Sequence, residues 1–343
     1  MTLITTIYVM KKCLYLFITI IVLSACSHKK DVQVERFANV KYVSITDSIY
    51  SYLPGRFFYQ NKKIYWEDPM GSINFMHMID AVTGKELYRF ANKGEGPDEF
   101  TIYFPSMLPQ GGMCIRNRGR HMAILYKPSA DTLKATKVSF FGNGNYTSAT
   151  VINDTSIVYL YPMEPLPFRF QRKNHSIRFG HWPVDEMVTN GDVYYQGDLL
   201  YNKDRKVLIY NTRCLPYMAI YDMSNDKFKL LKELKTPFDY RRDRGELRVS
   251  RSTAFGAIQI SMTKDYIVAL QCDKLNEEEV TIDSEPKDSY RMPHAVFVYD
   301  YDLNLVKIYN FPFKLLRIAG DLKSNDVYLI AMKPEYEIIK FKI

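Results

Sequence analysis

Side chains capable of chemistry are scattered along this chain rather than gathered. Of six histidines, His28 precedes the folded region, and His77, His121, His175, His181 and His294 stand apart. No H-x-H or H-E-x-x-H spacing places two of them on one metal. No Gly-x-Ser-x-Gly elbow occurs, and no Ser/His/Asp set follows from spacing. Three acids, Glu95, Asp98 and Glu99, crowd into Gly94-Glu95-Gly96-Pro97-Asp98-Glu99-Phe100. Their carboxylates suit a cation or a basic ligand; the plainer alternative is that Glu99 caps backbone amides. The loop is not a phosphate cradle, because no Gly-Lys-Ser/Thr follows and it opens no helix. Two stretches mix arginine, aromatics and proline, the composition of binding hot spots. Tyr161 to Trp182 supplies Arg169, Arg172 and Trp182, and Pro237 to Arg251 supplies Arg241 and Arg242. These eight are the candidate binding residues. The competing reading for both stretches is irregular chain packed on a rim. No catalytic residue, metal-ligand set or cofactor is assigned.

Composition narrows the classes. The 343 residues are 47% hydrophobic and 14% aromatic, ample for a packed core. Plentiful Tyr and Phe favour strands over helices. Net charge is +8, falling to +6 once Lys11 and Lys12 leave with a cleaved leader. The surplus concentrates in Arg116 to Arg120, Arg169 to Arg178 and Arg241 to Arg251, and solvated surface arginines are its plainest explanation. Anionic glycans, lipid head groups and peptides are the attractions it offers; nucleic acid is not expected to meet an exported chain. Five cysteines include no C-x-x-C pair. Cys13 and Cys26 belong to the N-terminus, leaving Cys114, Cys214 and Cys272. Cys114 and Cys272 lie in apolar strand runs and read as buried thiols.

The N-terminal residues read as an address. Lys11 and Lys12 precede an apolar run, Cys13 to Leu23, too short to span a bilayer core of roughly 30 Å as a helix. Leu23-Ser24-Ala25-Cys26 follows, and this order resembles the bacterial lipoprotein signal, the lipobox. The resemblance implies cleavage before Cys26 and lipidation of its thiol. Residues 1–25 are then a signal peptide and 26–42 a lipidated tether with a closing strand. Met10 beside Lys11 is an alternative start to Met1. Acyl chains contribute about 0.8 kcal/mol per buried CH₂, so several hold the protein to a membrane through Cys26. Ser27 to Asp31 lacks an acidic run, which favours a periplasm-facing anchor on the inner or outer membrane.

The elements that must position these residues form a repeat. Tyr201 to Leu231 reads as three antiparallel strands: a turn at Asn202 to Asp204, the apolar quartet Val207 to Tyr210, a second run Tyr217 to Tyr221, and a second turn at Ser224 to Asp226 that reverses the chain into Phe228 to Leu230. The phrase "turn, then apolar run" recurs at Asn61, Gln110, Asn153, Asn202, Thr263 and Ser324. Repeats roughly 40–50 residues long, each with several strands, indicate a propeller. The apolar runs are continuous rather than alternating, so both faces of each sheet are buried. The chain ends after one strand beyond its sixth repeat, and the extended segment Val32 to Ile45 is expected to complete that last blade and cover its edge. The fold class is therefore all-β, a six-bladed β-propeller over residues 43–343. A polar insertion, Asp273 to Arg291, interrupts the fifth repeat.

The lipobox, the Asp80 to Gly84 turn with Lys85-Glu86-Leu87, and the Gly94 to Phe100 loop together resemble exported six-bladed propeller lipoproteins of Bacteroidetes. These are TolB-like in architecture and distantly similar to NHL-repeat proteins. Their loop commonly reads G-x-G-P-G-E-F, and Asp98 here replaces the fifth-position glycine. The resemblance implies a cell-envelope propeller and no particular activity. The expected function is a binding or scaffold module for a peptide, glycan or protein partner. The alternative is a metal-assisted lyase or hydrolase with its site on the propeller axis, which requires His77, His121, His294 and carboxylates to converge there. A purely structural envelope protein is the third reading.

Overall fold

The second strand of each repeat explains the architecture. Met113–Asn117, Ser156–Leu160 and Val207–Asn211 are buried along their whole length. Such strands need a neighbouring sheet on each face. In Val207–Asn211, Leu208 and Tyr210 enter one apolar cluster while Val207 and Ile209 enter another. The computed structural model describes residues 33–35, 40–71, 73–118, 120, 122–129, 132–138, 146–173, 175–184, 187–250, 253–271 and 293–343, with backbone alone for Val34, Glu35, Asp47 and Ser48. Over these residues the chain is a six-bladed β-propeller of antiparallel sheets.

Blade 1 holds Phe57–Gln60, Lys63–Glu67, Asn74–Asp80 and Glu86–Asn92 from the axis outward. Blade 2 holds Tyr103–Met107, Met113–Asn117, Met122–Pro128 and Leu133–Val138. Blade 3 holds Ser148–Asn153, Ser156–Leu160, Phe168–Arg172 and His175–Phe179. Blade 4 holds Leu199–Asn202, Val207–Asn211, Tyr217–Asp222 and Leu230–Lys235. Blade 5 holds Ala257–Met262, Tyr266–Gln271, Ala295–Asp300 and Leu305–Asn310. Blade 6 holds Lys314–Gly320, Asp326–Met332, Tyr336–Lys342 and, as its outer strand, Tyr42–Ile49. Each of the six repeated turns joins the innermost strand of a blade to the second. At the first, Asn61 and Lys62 both take positive φ (51° and 61°), as a two-residue hairpin requires.

Six buried clusters lie between neighbouring blades, and the last joins blade 6 to blade 1 through Ile338 and Ile330 against Phe57 and Trp66. Closure is made by backbone hydrogen bonding as well. Tyr42–Ile49 pairs antiparallel with Tyr336–Lys342, from Tyr42 opposite Phe341 to Ile49 opposite Tyr336. The extended segment Val32 to Ile45 is thus divided. Its end joins blade 6, whereas Val34 and Glu35, from the short strand Gln33–Glu35, extend blade 5 beside Leu305–Asn310. The stretch Tyr201 to Leu231 also gains a strand over its three-stranded reading, because the innermost strand begins at Leu199 and the outer one runs to Lys235.

Two connections between blades are long, and they meet. The one after blade 3 contains the helix Gly191–Tyr194. The one after blade 4 is a hairpin, Tyr240–Asp243 with Glu246–Val249. Asn190 fastens them: its side-chain amide donates to the Leu247 carbonyl at 3.0 Å and accepts from the Leu247 N–H at 2.8 Å. Leu247, Val188, Trp182 and Tyr195 join the cluster between blades 3 and 4. Residues 1–32, with Cys13, Cys26, His28 and the leader, lie outside the described residues, as do Gly119, His121, Cys272 and the insertion Asp273 to Arg291. No helix among the described residues is long and apolar enough to cross a membrane.

Candidate functional site

The axis of the propeller encloses a cavity of about 760 Å³. All six innermost strands line it, through residues 55–61, 105–110, 147–151, 197–201, 258–262 and 317–323. These strands run in one direction along the axis, so the cavity has two chemically different ends. At the end of the repeated turns stand Asn61, Lys203, Asp204, Asp321 and Lys323. At the opposite end stand Arg56, Arg213, Arg317, Glu67 and Asp198.

The second end is built from strand termini and from the connections that cross that face. Arg56 immediately precedes the innermost strand of blade 1, and Asp198 that of blade 4. Gly55 beside Arg56 leaves room for Glu67, whose carboxyl carbon would lie 2.7 Å from a Cβ there. The Glu67 carboxylate accepts from the Arg56 backbone N–H at 2.9 Å. Asp198 accepts from the Ile260 N–H at 2.9 Å and from Arg213 Nη2 at 3.3 Å. Arg56 Nη1 donates to the Pro105 carbonyl at 3.2 Å, and Arg317 Nε to the Gly55 carbonyl at 2.5 Å.

A fourth arginine stands behind them. Arg116, on the second strand of blade 2, is 2% exposed. Its guanidinium lies over the Tyr146 ring at 5.1 Å and over Phe104 at 6.0 Å. Arg56 approaches the same Phe104 ring at 5.2 Å. The expectation that the Arg116 to Arg120 run is solvated therefore fails at its first member, which alternation along a doubly covered strand turns into the gap between blades 2 and 3. Neither Nε nor Nη1 of Arg116 has a hydrogen-bond partner among the described residues.

The charges act on one another. Burial lowers the Arg56 pKa, Glu67 opposes this, Arg116 lowers it further, Asp198 opposes and Arg213 lowers. For Arg317 burial is again the largest cause, followed by Arg213, with Glu67, Asp198 and Tyr336 opposing. Guanidinium groups keep their proton in such settings. Four cations therefore face two carboxylates, a surplus of positive charge in one partly desolvated place.

The candidate residues read from the sequence lie elsewhere, and none of them lines the cavity. Glu99 accepts from the Gly96 N–H at 2.7 Å. Gly94, at φ +147°, brings its backbone against the same carboxylate. Asp98 pairs with Lys137 at 2.5 Å, and the Glu95 carbonyl accepts from Arg120. Phe100 is buried and meets Phe75 edge-on at 5.7 Å, so this loop ties blade 1 to blade 2. Arg169 lies over the Tyr161 ring at 4.3 Å and 3.6 Å from Glu164. Arg172 is 3.7 Å from Asp226. Trp182 is buried, stacked on Tyr195 at 4.4 Å, and donates to the Glu164 carbonyl at 2.9 Å. Arg241 and Arg242 sit on the hairpin after blade 4, where Arg242 donates to the Met187 carbonyl at 2.9 Å.

Histidine does not line the cavity among the described residues. His77 is on the third strand of blade 1, stacked on Trp66 at 4.2 Å with Nδ1 2.5 Å from Glu86. His181 sits between blades 3 and 4, 3.2 Å from Glu233 and 3.3 Å from the Tyr217 hydroxyl. His294 is exposed and opens the third strand of blade 5. Among the described residues no three His, Cys, Asp or Glu groups are placed to share a metal. Burial pushes the Cys114 thiol up to about 12, which makes it inert.

Part of the arginine set carries a signal in the sequence. Once the six turns are aligned, the position four to seven residues before a turn falls on the axis, and there stand Arg56, Asp198, Gln259 and Arg317. Arg116 and Arg213 carry no such mark, since they come from second strands and the loops after them.

Comparison with known proteins supports the architecture. No family model matches the chain, and no curated protein matches it. Among solved structures, a member of the DUF4221 family from Bacteroides vulgatus is similar, with a TM-score of 0.57 at 14% identity over 88% of this chain and 97% of that one. A protein from Bacteroides fragilis described as exported has a TM-score of 0.56 at 9% identity, covering 91% of this chain and 99% of that one. At such identities the likeness is one of fold.

Proposed function

We propose that this protein is a lipid-anchored, extracytoplasmic binding module that takes its ligand into the axial cavity. The cavity carries the reading: every blade contributes its innermost strand to one enclosed space, polar at both ends. Apolar rings and strands wall it, and polar groups at its ends supply orientation, as in ligand sites generally. A peptide or glycan is the partner class that fits a deep axial space. The leader-like N-terminus supports export and lipidation at Cys26, and the exported propeller of Bacteroides fragilis is consistent with that address.

Two outcomes test this. Ile258 lines the cavity at a bulge between Ala257 and Gln259 and belongs to neither adjoining apolar cluster. Full chain immobilised from detergent is expected to capture an envelope glycan or peptide that Ile258→Trp, by filling the cavity, no longer retains. Equal capture by both would place the binding surface elsewhere. Separately, Cys26→Ser is expected to move the protein from the membrane to the soluble fraction and to remove the acyl mass; a wild-type chain already soluble and unacylated would end the anchor claim.

A further inference from the structure

We infer that the arginine-lined end of the axial cavity is a built site for an anionic group of the ligand, a carboxylate, sulfate or phosphate. This rests on the cavity being the binding site and adds the chemistry that the ligand carries.

Geometry, charge and desolvation agree on it. Arg56 and Arg116 flank one ring, Phe104. Arg213 and Arg317 reach the same end from blades 4 and 6. The two carboxylates there are also held by backbone amides, Glu67 by Arg56 and Asp198 by Ile260, and Asp198 pairs with Arg213, so two anions are left to balance four cations. Arg116 is the strongest sign. Its guanidinium is 98% buried, held among aromatic rings, and its Nε and Nη1 have no hydrogen-bond partner among the described residues, which is costly for a fold to keep. An oxyanion held by Arg56, Arg213 and Arg317 offsets the Arg116 charge from in front, because arginine forks match planar and tetrahedral oxyanions in bidentate fashion. Thr147, which lines the cavity, has a buried hydroxyl likewise unpaired among the described residues.

The face at which this end opens adds to the case. It is the face of the connections between blades, and it gathers exposed apolar side chains: Tyr50 and Tyr52 at 84% each, with Met70, Ile73, Ile102 and Met187. A ligand seated by an acidic group on the axis thus finds aromatic surface for the rest of its length, and exposed tyrosines suit sugar or peptide.

The experiment is a titration of the full chain in detergent with sulfate, phosphate and citrate, each against chloride at equal ionic strength. Calorimetry and thermal melting are the readouts. The parent is expected to melt higher and release heat with at least one of the three oxyanions, and the order of citrate against sulfate and phosphate tells planar from tetrahedral recognition. Arg213→Gln, at an exposed side chain, is expected to weaken that binding roughly tenfold, the loss of one charge-assisted bond. Arg116→Met is expected to melt at or above the parent in chloride and to weaken the oxyanion response. A purely structural Arg116 would instead lower melting in chloride and leave the response intact. That result, or a parent with no oxyanion-specific response, overturns the inference. If Ile258→Trp still abolishes capture in that event, the cavity remains the binding site and only the anionic chemistry is lost. If capture is also insensitive to Ile258→Trp, both readings fall.

Discussion

A chain begun at Tyr50 is expected to lose its cooperative fold and aggregate, whereas one begun at Val40 keeps both fold and solubility. The difference between the two is the outer strand of blade 6. Without Tyr42–Ile49, the third strand Tyr336–Lys342 presents an unpaired edge. Ile49, 3% exposed in the cluster between blades 6 and 1, is lost with it. Burying one such side chain contributes about 1.5–3 kcal/mol, and each backbone hydrogen bond a net of about 1 kcal/mol. The sum over the pairing reaches roughly 5 kcal/mol or more, comparable with the whole stability of an ordinary domain. An exposed edge also recruits other strands. Circular dichroism melts and size-exclusion chromatography of the two truncations decide the matter. Equal melting temperatures would show that closure by this strand is dispensable.

Phe168→Ala is expected to cost about 3–5 kcal/mol, among the largest losses open to a single side chain here. Phe168 is fully buried at the centre of the cluster between blades 3 and 4. Its ring meets Tyr210 and Tyr221 edge-on, each at 5.2 Å, and Phe179 at 5.3 Å. Such pairs add to burial alone. Gly180 presses on the ring from behind at φ +89°, where even a Cβ would lie 2.5 Å from it. With rigid aromatics on every side the void has little to collapse into, so the cavity contribution is retained in full. The same cluster holds Leu247 of the hairpin after blade 4, so that hairpin is expected to become more sensitive to trypsin at Arg241 and Arg242. Urea unfolding reads the cost as a lower midpoint with unchanged slope. A loss under about 1 kcal/mol would contradict this packing.

Much of the fold is legible in the chain because strand and turn chemistry are local. Asn61-Lys62 accepts left-handed backbone, so the hairpin it makes is written in two residues. The quartet Val207 to Tyr210 has no polar member to face water, so it requires a sheet on both sides. Repetition then multiplies a weak local signal into an architecture, and the shortage of strands after Ser324 predicts a donor from the other end of the chain. Boundaries were less legible. The donor strand is Tyr42–Ile49, and the residues before it serve blade 5, because pairing partners are chosen by neighbours far away in sequence.

The site was hardly legible at all. Composition drew attention to clustered charge and to proline-rich loops, where Glu99 holds a glycine turn and Trp182 fills a core. The sequence by itself determined the repeat, the six turns, the doubly buried strands, the leader-like start and the absence of a contiguous catalytic motif. The tertiary structure alone decided that Arg56, Arg213 and Arg317, more than two hundred and fifty residues apart at the extremes, share one end of one cavity with Arg116 buried behind them. The reason is geometric. A propeller brings equivalent positions of separate repeats to a common axis, so its chemistry is assembled from residues that no window of sequence contains. The burial that turns Arg116 from a surface charge into one held among aromatic rings exists only once blade 3 has closed over blade 2.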